Sequence, residues 1–163
     1  MTRRTPGQSL VLLALMLPFL AALVLTAMEI GARTWQRAQL EDALRQANRA
    51  AVQTWLYPAF ASGTLTVRPV DVMASGAAYF ETNLGGITTL ALPPAKTAAA
   101  AAWTPVIPAG GGMCTDPAGR LVTLPRPGMC ASVTVTLRSL VGWQPWTTTV
   151  FAADTVDLVD AAP

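Results

Sequence analysis

The longest uninterrupted run of apolar residues lies near the N-terminus, between Ser9 and Met28. The run contains no charged residue, and about 20 helical residues at about 1.5 Å each match the roughly 30 Å hydrocarbon core of a bilayer. Arg3 and Arg4 precede it, with no acidic residue to offset them. Positive charge before an apolar segment favours a cytoplasmic N-terminus. The pattern therefore predicts a transmembrane helix over 9–28, with the rest of the chain outside.

A cleaved signal peptide is the alternative interpretation of this run. Signal peptides carry an apolar stretch of about 7–15 residues, followed by a small-x-small cleavage site. The run here is longer, and Leu25 and Ile30 spoil such a site around Ala27 and Ala32. A membrane anchor that stays attached is therefore the preferred prediction.

The helical pattern continues beyond the apolar run as far as Pro58. Apolar residues recur there at spacings of four, three, four and four, which is one stripe along a helix. The stripe consists of Leu40, Leu44, Ala47, Ala51 and Trp55. We predict one helix over 8–57, roughly 75 Å long, which exceeds what a bilayer needs. Its outer half must pack against the protein's own sheet or against a neighbouring subunit.

From residue 62 onward, short alternating segments replace the helical period. Residues 64–69 predict a strand that Pro69 ends, and Asp71 then predicts the N-cap of a short helix closed by Gly85 and Gly86. The low-complexity stretch from about residue 95 predicts a turn of helix near 98–102 and then a loop. Further strands are predicted within the segments 87–92, 121–124, 131–140 and 144–159.

These elements together predict an α+β fold, in which a long N-terminal helix with a transmembrane first half packs on a small antiparallel β-sheet. The chain divides into a basic leader, 1–7, the long helix, 8–57, and an outer domain, 62–163.

The two cysteines of the chain, Cys114 and Cys130, bracket a stretch rich in turn-forming residues. Outside the membrane they meet an oxidising environment, where closing a loop of this size stabilises the fold by about 3 kcal/mol in the chain-entropy estimate. We therefore predict a disulfide. A metal site would need further ligands, and the chain has no histidine.

Composition argues against a soluble enzyme or a nucleic-acid-binding protein. Charged residues make up only 12% of the chain, apolar residues make up 52%, and the net charge is +2. The few basic residues are too scattered to follow a phosphate backbone, so direct binding of nucleic acid is not expected. No acid pair, nucleophile with a base, or metal cluster can be assembled from the sequence, so we predict no catalytic residue, no metal and no cofactor.

The first 55 residues carry a more specific pattern. A basic leader ends in a glycine, an apolar run contains Leu-Pro, a glutamate follows the run, and an alanine-rich amphipathic helix comes next. The residues that carry this pattern are Arg3, Arg4, Gly7, Gln8, Val11, Leu17, Pro18, Glu29, Gly31 and Arg33. The pattern resembles the N-terminal region of the TadE/TadG family, the minor pseudopilins of the tight-adherence (Flp pilus) branch of type IV pilus machines.

The resemblance implies that a prepilin peptidase cuts after Gly7 and makes Gln8 the first residue of the mature protein. It also implies that other pilin-like subunits bind through the long helix. One position departs from the family pattern, because Leu12 stands where the family usually has a glutamate that pairs with the amino terminus of an adjacent subunit. A subunit that lacks this acid is expected at the tip of a filament, where nothing above it needs pairing.

The leading functional prediction is a minor pilin or pseudopilin, a non-catalytic structural subunit of a type IV pilus-like filament or of its assembly machinery. The expected location is the bacterial inner membrane, N-in and C-out, with passage into an extracellular filament on assembly. The alternative is a single-pass anchored periplasmic module that binds a ligand or acts as a scaffold and never polymerises.

Overall fold

The computed structural model describes residues 6–63, 67–142 and 144–156, with side chains described from Leu10 onward. Helix α1 spans Pro6–Ala51, a π-helical turn spans Val52–Leu56, and helix α2 spans Tyr57–Ala61. These three elements follow one another without a break, and we refer to them as the rod. The predicted long helix is present, and it runs four residues beyond the predicted end at residue 57. Pro58 does not stop it, because proline is accommodated in the first turn of a helix, here α2.

The π-helical turn changes which residues of the rod face the core. Leu40, Leu44, Ala47 and Ala51 are completely buried, and the next completely buried apolar residues are Val52 and Leu56. Trp55, which the predicted stripe included, is instead 39% exposed. In the π-helical turn the Tyr57 N–H donates to the Val52 carbonyl, five residues earlier. The wider turn advances the buried face by one residue, from position 55 to position 56.

Helix α3 spans Pro69–Leu84, and its start differs from the prediction. Residues 64–66 of the predicted strand lie outside the described residues, and Val67 and Arg68 are not in a strand. Pro69 begins the helix because its fixed φ suits a first helical position. Asp71 lies within the first turn instead of capping it, where its carboxylate meets the positive end of the helix dipole. The helix ends at Leu84, directly before Gly85, as predicted.

The described strands form two antiparallel sheets. The larger has the order β1-β4-β5 and the smaller pairs β2 with β3. Their bounds are Ala102–Val106 for β1, Gly112–Thr115 for β2, Leu121–Leu124 for β3, Gly128–Leu137 for β4 and Trp146–Thr155 for β5. Strand β3 matches its prediction, β4 begins three residues earlier than predicted, and β5 forms one strand within the predicted segment.

Two predictions between α3 and β2 are wrong. The segment 87–92 makes a single β-bridge, from Leu90 to Leu137, where a strand was expected. The segment 102–106 forms strand β1, where a loop was expected. Pro105 suggested a loop because proline cannot donate a ladder hydrogen bond, but β1 is an edge strand, where that donor is not required. The short helix α4 spans Pro94–Ala99, slightly earlier than predicted.

One face of the larger sheet packs on the rod and on α3. Val133, Val135 and Leu137 of β4 are buried there, together with Phe80 and Leu84 of α3. On the opposite face, Thr134 and Thr149 are exposed, and their hydroxyls lie 2.9 Å apart. The α+β prediction is therefore confirmed: a long helix packs against a small antiparallel sheet.

The β2–β3 hairpin covers the other face of the sheet near the start of β4. The predicted disulfide between Cys114 and Cys130 is present, with the two Cα atoms 6.5 Å apart. Both cysteines are buried in a small cluster with Val106 and Leu124. The disulfide thus fastens the hairpin to the central strand of the sheet.

Replacing a tryptophan by alanine usually destabilises a protein at least as much as replacing a leucine. We expect the π-helical turn to reverse this order at positions 55 and 56. Leu56→Ala is expected to lower the free energy of unfolding by about 2–5 kcal/mol, because it empties a fully buried site. Trp55→Ala is expected to cost less than Leu56→Ala, because 39% of the Trp55 surface is already exposed whereas Leu56 is completely buried. Urea unfolding of the full chain in detergent, followed by circular dichroism, measures both values. An equal or larger loss of stability for Trp55→Ala would contradict the claim that the π-helical turn buries position 56 instead of position 55.

Candidate functional site

The rod has two halves with different surroundings. Its most apolar 18-residue window has a mean hydropathy of 2.7, and none of that window is buried by the rest of the protein. By length and composition the helix is able to cross a membrane. The large apolar side chains left exposed on this half are Leu10, Val11, Leu12, Leu13, Leu15, Met16, Leu17, Phe19, Leu20, Leu23, Val24, Leu25 and Met28. The change from a bare helix to a docked helix therefore falls directly after Met28.

Glu29 is the first residue after the apolar run and is only 1% exposed. Its Oε1 accepts a 2.8 Å hydrogen bond from Arg33 Nε, one turn further along the rod. Its Oε2 accepts hydrogen bonds from the turn between β4 and β5, from Ser139 Oγ at 2.9 Å and from the backbone N–H groups of Leu140 at 3.1 Å and Val141 at 3.3 Å. One carboxylate thus connects the rod to the tip of the β4–β5 hairpin.

These donors favour the charged form of the carboxylate. The Arg33 side chain, with further help from Ser139 and the Val141 N–H, holds the pKa of Glu29 below its ordinary value of 4.5, although burial acts in the opposite direction. Because the pKa in the folded protein is the lower one, the stabilisation is fully present above about pH 4.5. It is lost as the pH falls from there through the folded-state pKa.

Two further side chains of the rod contact the same hairpin. Gln36 is 2% exposed, and its Oε1 accepts a 3.2 Å hydrogen bond from Trp146 Nε1 at the start of β5. The guanidinium carbon of Arg33 lies 5.8 Å from the centroid of the Trp146 ring, within the range of a cation–π contact. We call Glu29, Arg33 and Gln36, with the residues 139–141 and Trp146 that they contact, the Glu29 cluster.

A second polar contact lies further along the rod. Asn48 is completely buried, and its Nδ2 donates to the Met129 carbonyl at 2.7 Å and to Asp154 Oδ2 at 3.0 Å. Met129 is near the start of β4, whereas the Glu29 cluster lies beyond its end. The rod is therefore attached near the start of β4, through Asn48, and just beyond the end of β4, through Glu29. These two contacts fix both the rotation of the rod and its position along its axis.

The structure separates the predicted processing and assembly residues from the Glu29 cluster. Gly7 and Gln8 lie in the first turn of α1, and Leu12 follows about one turn later with 54% of its surface exposed. Residues 1–5 of the predicted leader lie outside the described residues. Leu12, where the resembled family has a glutamate, and Glu29 are 17 positions apart, about 26 Å along a helix. Glu29 therefore does not lie at the place of the missing glutamate.

In the sequence, Glu29 and Arg33 stood out only as parts of a family pattern, and Gln36 did not stand out. A signal for all three was nevertheless present. Glu29, Arg33 and Gln36 are spaced by four and three, and Leu40 follows after four more, so they continue the apolar stripe toward the N-terminus. Polar residues on a buried stripe require partners, because burying an unpaired polar group is costly.

The Glu29 carboxylate makes its hydrogen bonds within its own chain. Within residues 6–63, 67–142 and 144–156, no group of three histidine, cysteine, aspartate or glutamate side chains is placed to hold a metal ion. The carboxylate of Glu29 is fully engaged by donors of its own chain, which suits it to fix two elements and not to transfer protons.

We expect Glu29→Gln to loosen the tip of the β4–β5 hairpin. The neutral amide keeps the shape of the side chain but lacks the negative charge to which Arg33 and three further donors make hydrogen bonds. Amide hydrogen exchange at Leu140 and Val141 is therefore expected to accelerate by about tenfold. Exchange is measured by mass spectrometry on the full chain in detergent at neutral pH.

The matched control is Glu41→Gln. Glu41 Oε1 accepts a 2.8 Å bond from Arg37 Nε at the same four-residue spacing, although here the arginine comes first and the pair lies on an exposed part of the rod. This substitution is expected to leave exchange at 139–141 unchanged, since exposed pairs contribute little. Equal protection in the two variants would show that the Glu29 carboxylate does not hold the hairpin.

Comparison of this chain with protein-family models, with curated proteins and with solved structures finds no match in any of the three.

Proposed function

We propose that this chain is a minor pilin or pseudopilin, a non-catalytic structural subunit of a tight-adherence-type, type IV pilus-like filament or of its assembly machinery. The observation that carries the proposal is the division of the rod at Glu29. One half docks on the outer domain, and the other half projects as a bare apolar helix with none of its most apolar window buried. Such a surface needs a second environment to cover it.

Two environments cover an apolar helix of this length. Before assembly the helix lies in the inner membrane, with the N-terminus in the cytoplasm and the outer domain outside, as the basic residues Arg3 and Arg4 favour. After assembly the bare halves of several subunits bundle together and replace the lipid. The Cys114–Cys130 disulfide is compatible with an oxidising space outside the membrane.

The proposal assigns different roles to two positions in the rod. In pilin-like filaments, a glutamate near the mature N-terminus is thought to pair with the amino group of a neighbouring subunit. Leu12 occupies that position here, and Glu29 is no substitute because its two oxygens accept four hydrogen bonds within its own chain. A subunit of this kind suits the tip of a filament, where it starts assembly.

A plain membrane anchor is the second candidate. Leu12 favours it, because a helix that never bundles needs no acid for pairing, and lipid alone is enough to cover the bare half of the rod. In this case the outer domain is a periplasmic binding or scaffold module. The two candidates differ in whether the leader is removed.

Intact mass separates these candidates. With a prepilin peptidase present, the protein is expected to lose the residues 1–7, and without the peptidase it is expected to keep them. Gly7→Val is the control, because a bulky residue at the cut site is expected to keep the full-length mass in both strains. Full-length wild-type protein in both strains would support the plain anchor, and a cut near Ala27 would support a secreted domain.

The tip position is tested by restoring the missing acid. Leu12→Glu is expected to change the number or the length of the filaments, because the new carboxylate allows pairing that the natural leucine does not. Leu13→Glu is the matched control, since it places the same charge one position further along the exposed apolar half. Filaments counted by electron microscopy that are the same in wild type and in both variants would contradict a tip role.

A further inference from the structure

We propose that the turn between β4 and β5, centred on Leu140, contacts the lipid surface next to the transmembrane helix, and that the Glu29 carboxylate holds it there. This inference rests on the part of the proposed function that places the apolar half of the rod in a membrane. It does not require that the protein polymerises.

The height of the turn relative to the membrane follows from its hydrogen bonds. Glu29 is the residue next to Met28, which ends the apolar run, and its Oε2 lies 3.1 Å from the Leu140 N atom. Side chains on a helix lean toward its N-terminus, which here is the direction of the membrane. The backbone of the turn therefore lies level with the end of the apolar run, at the boundary between the acyl chains and the headgroups.

The side chains of the turn suit that boundary. Leu140 is 61% exposed although it lies beside a buried carboxylate, so the protein itself does not cover it. Arg138 is exposed at the base of the turn, where a guanidinium is able to meet lipid phosphate. Gly142 has a φ of +79°, which favours glycine and lets the chain reverse tightly. An apolar tip beside a cation is the composition expected of a surface that enters the membrane interface.

The rod itself carries a second side chain suited to the membrane interface, further from the bilayer centre. Trp35 is 63% exposed and lies seven residues beyond Met28, about 10 Å along the helix. It is on a different side of the rod from Gln36, the neighbour that contacts the hairpin. Tryptophan is enriched at membrane interfaces, and its side chain also leans back toward the membrane. Leu140 at the inner edge of the headgroup region and Trp35 further out would thus lie on two sides of the helix within the membrane interface.

The consequence is a fixed tilt of the outer domain. A helix alone leaves its attached domain free to lean in any direction over the bilayer. Two separate contacts at one height, the helix and the turn, restrict that motion and hold the sheet upright. The Glu29 carboxylate is the group that links them, because it joins the helix to the turn through three hydrogen bonds to residues 139–141.

Lipid-dependent fluorescence quenching tests this proposal. Both natural cysteines are joined in the disulfide, so Leu140→Cys introduces the only free thiol of the chain. The full chain carrying an environment-sensitive fluorophore at this thiol is placed in phospholipid vesicles. Lipids brominated near the headgroup end of the acyl chain are expected to remove most of its emission.

Two labelled control positions make the result unambiguous. Val70→Cys reports from an apolar residue that is 49% exposed at the start of α3, near the far end of the rod, and is expected to show no quenching. Leu20→Cys reports from the middle of the apolar run and is expected to be quenched by lipids brominated deeper in the chain. Quenching at 20 with none at 140 would overturn the inference and leave the anchor intact. No quenching at either position would overturn both the inference and the membrane placement.

The role of Glu29 is tested in the same system. Adding Glu29→Gln to the labelled Leu140→Cys protein is expected to reduce quenching at 140 while leaving a label at Leu20→Cys unaffected. Glu41→Gln, the exposed counterpart, is expected to change neither. Quenching at 140 that is unchanged by Glu29→Gln would contradict the positioning role of the carboxylate.

Discussion

The structure depends on the way one helix meets its own domain. The rod presents a single stripe to the sheet and to α3, and that stripe runs from Glu29 through Leu40 and Leu44 to Ala51. Residues three or four positions apart lie on one face of a helix, so the stripe is a single face. Burying that face against the sheet and α3 fixes the rotation of the rod. The large apolar side chains between Leu10 and Met28 remain exposed and are not covered by the described part of the protein.

Apolar contacts alone do not fix the axial position of the rod, because alanine and leucine on a stripe allow sliding between nearby registers. The polar contacts supply that precision. Glu29 meets donors beyond the end of β4, and Asn48 meets the carbonyl of Met129 near its start. Hydrogen bonds are directional and a buried unpaired group is costly, so a shift by one turn would break both contacts.

The buried carboxylate of Glu29 is tolerated because its charge is met on every side. It accepts hydrogen bonds from a guanidinium, a hydroxyl and two backbone N–H groups, which together replace the water that it loses. The Arg37–Glu41 pair has the same sequence spacing and the same 2.8 Å bond, but it is exposed and contacts no other element through that bond. Equal spacing therefore gives a clamp in one place and a surface ion pair in the other.

The sequence by itself determined the features that depend on local chemistry and on period. Hydrophobic period was enough for the long helix, its bare apolar half, the stripe at Leu40 to Ala51 and the alternation of β4. Two cysteines on the outer side of a predicted membrane segment were enough for the disulfide. The sequence did not determine the π-helical turn, which buries Leu56 where the predicted stripe had Trp55. It also did not determine the edge position that admits Pro105 into a strand, or the partners of Glu29 and Gln36. Only the tertiary structure decided these, because each depends on packing with residues distant in the sequence or on a sheet order that no local pattern encodes.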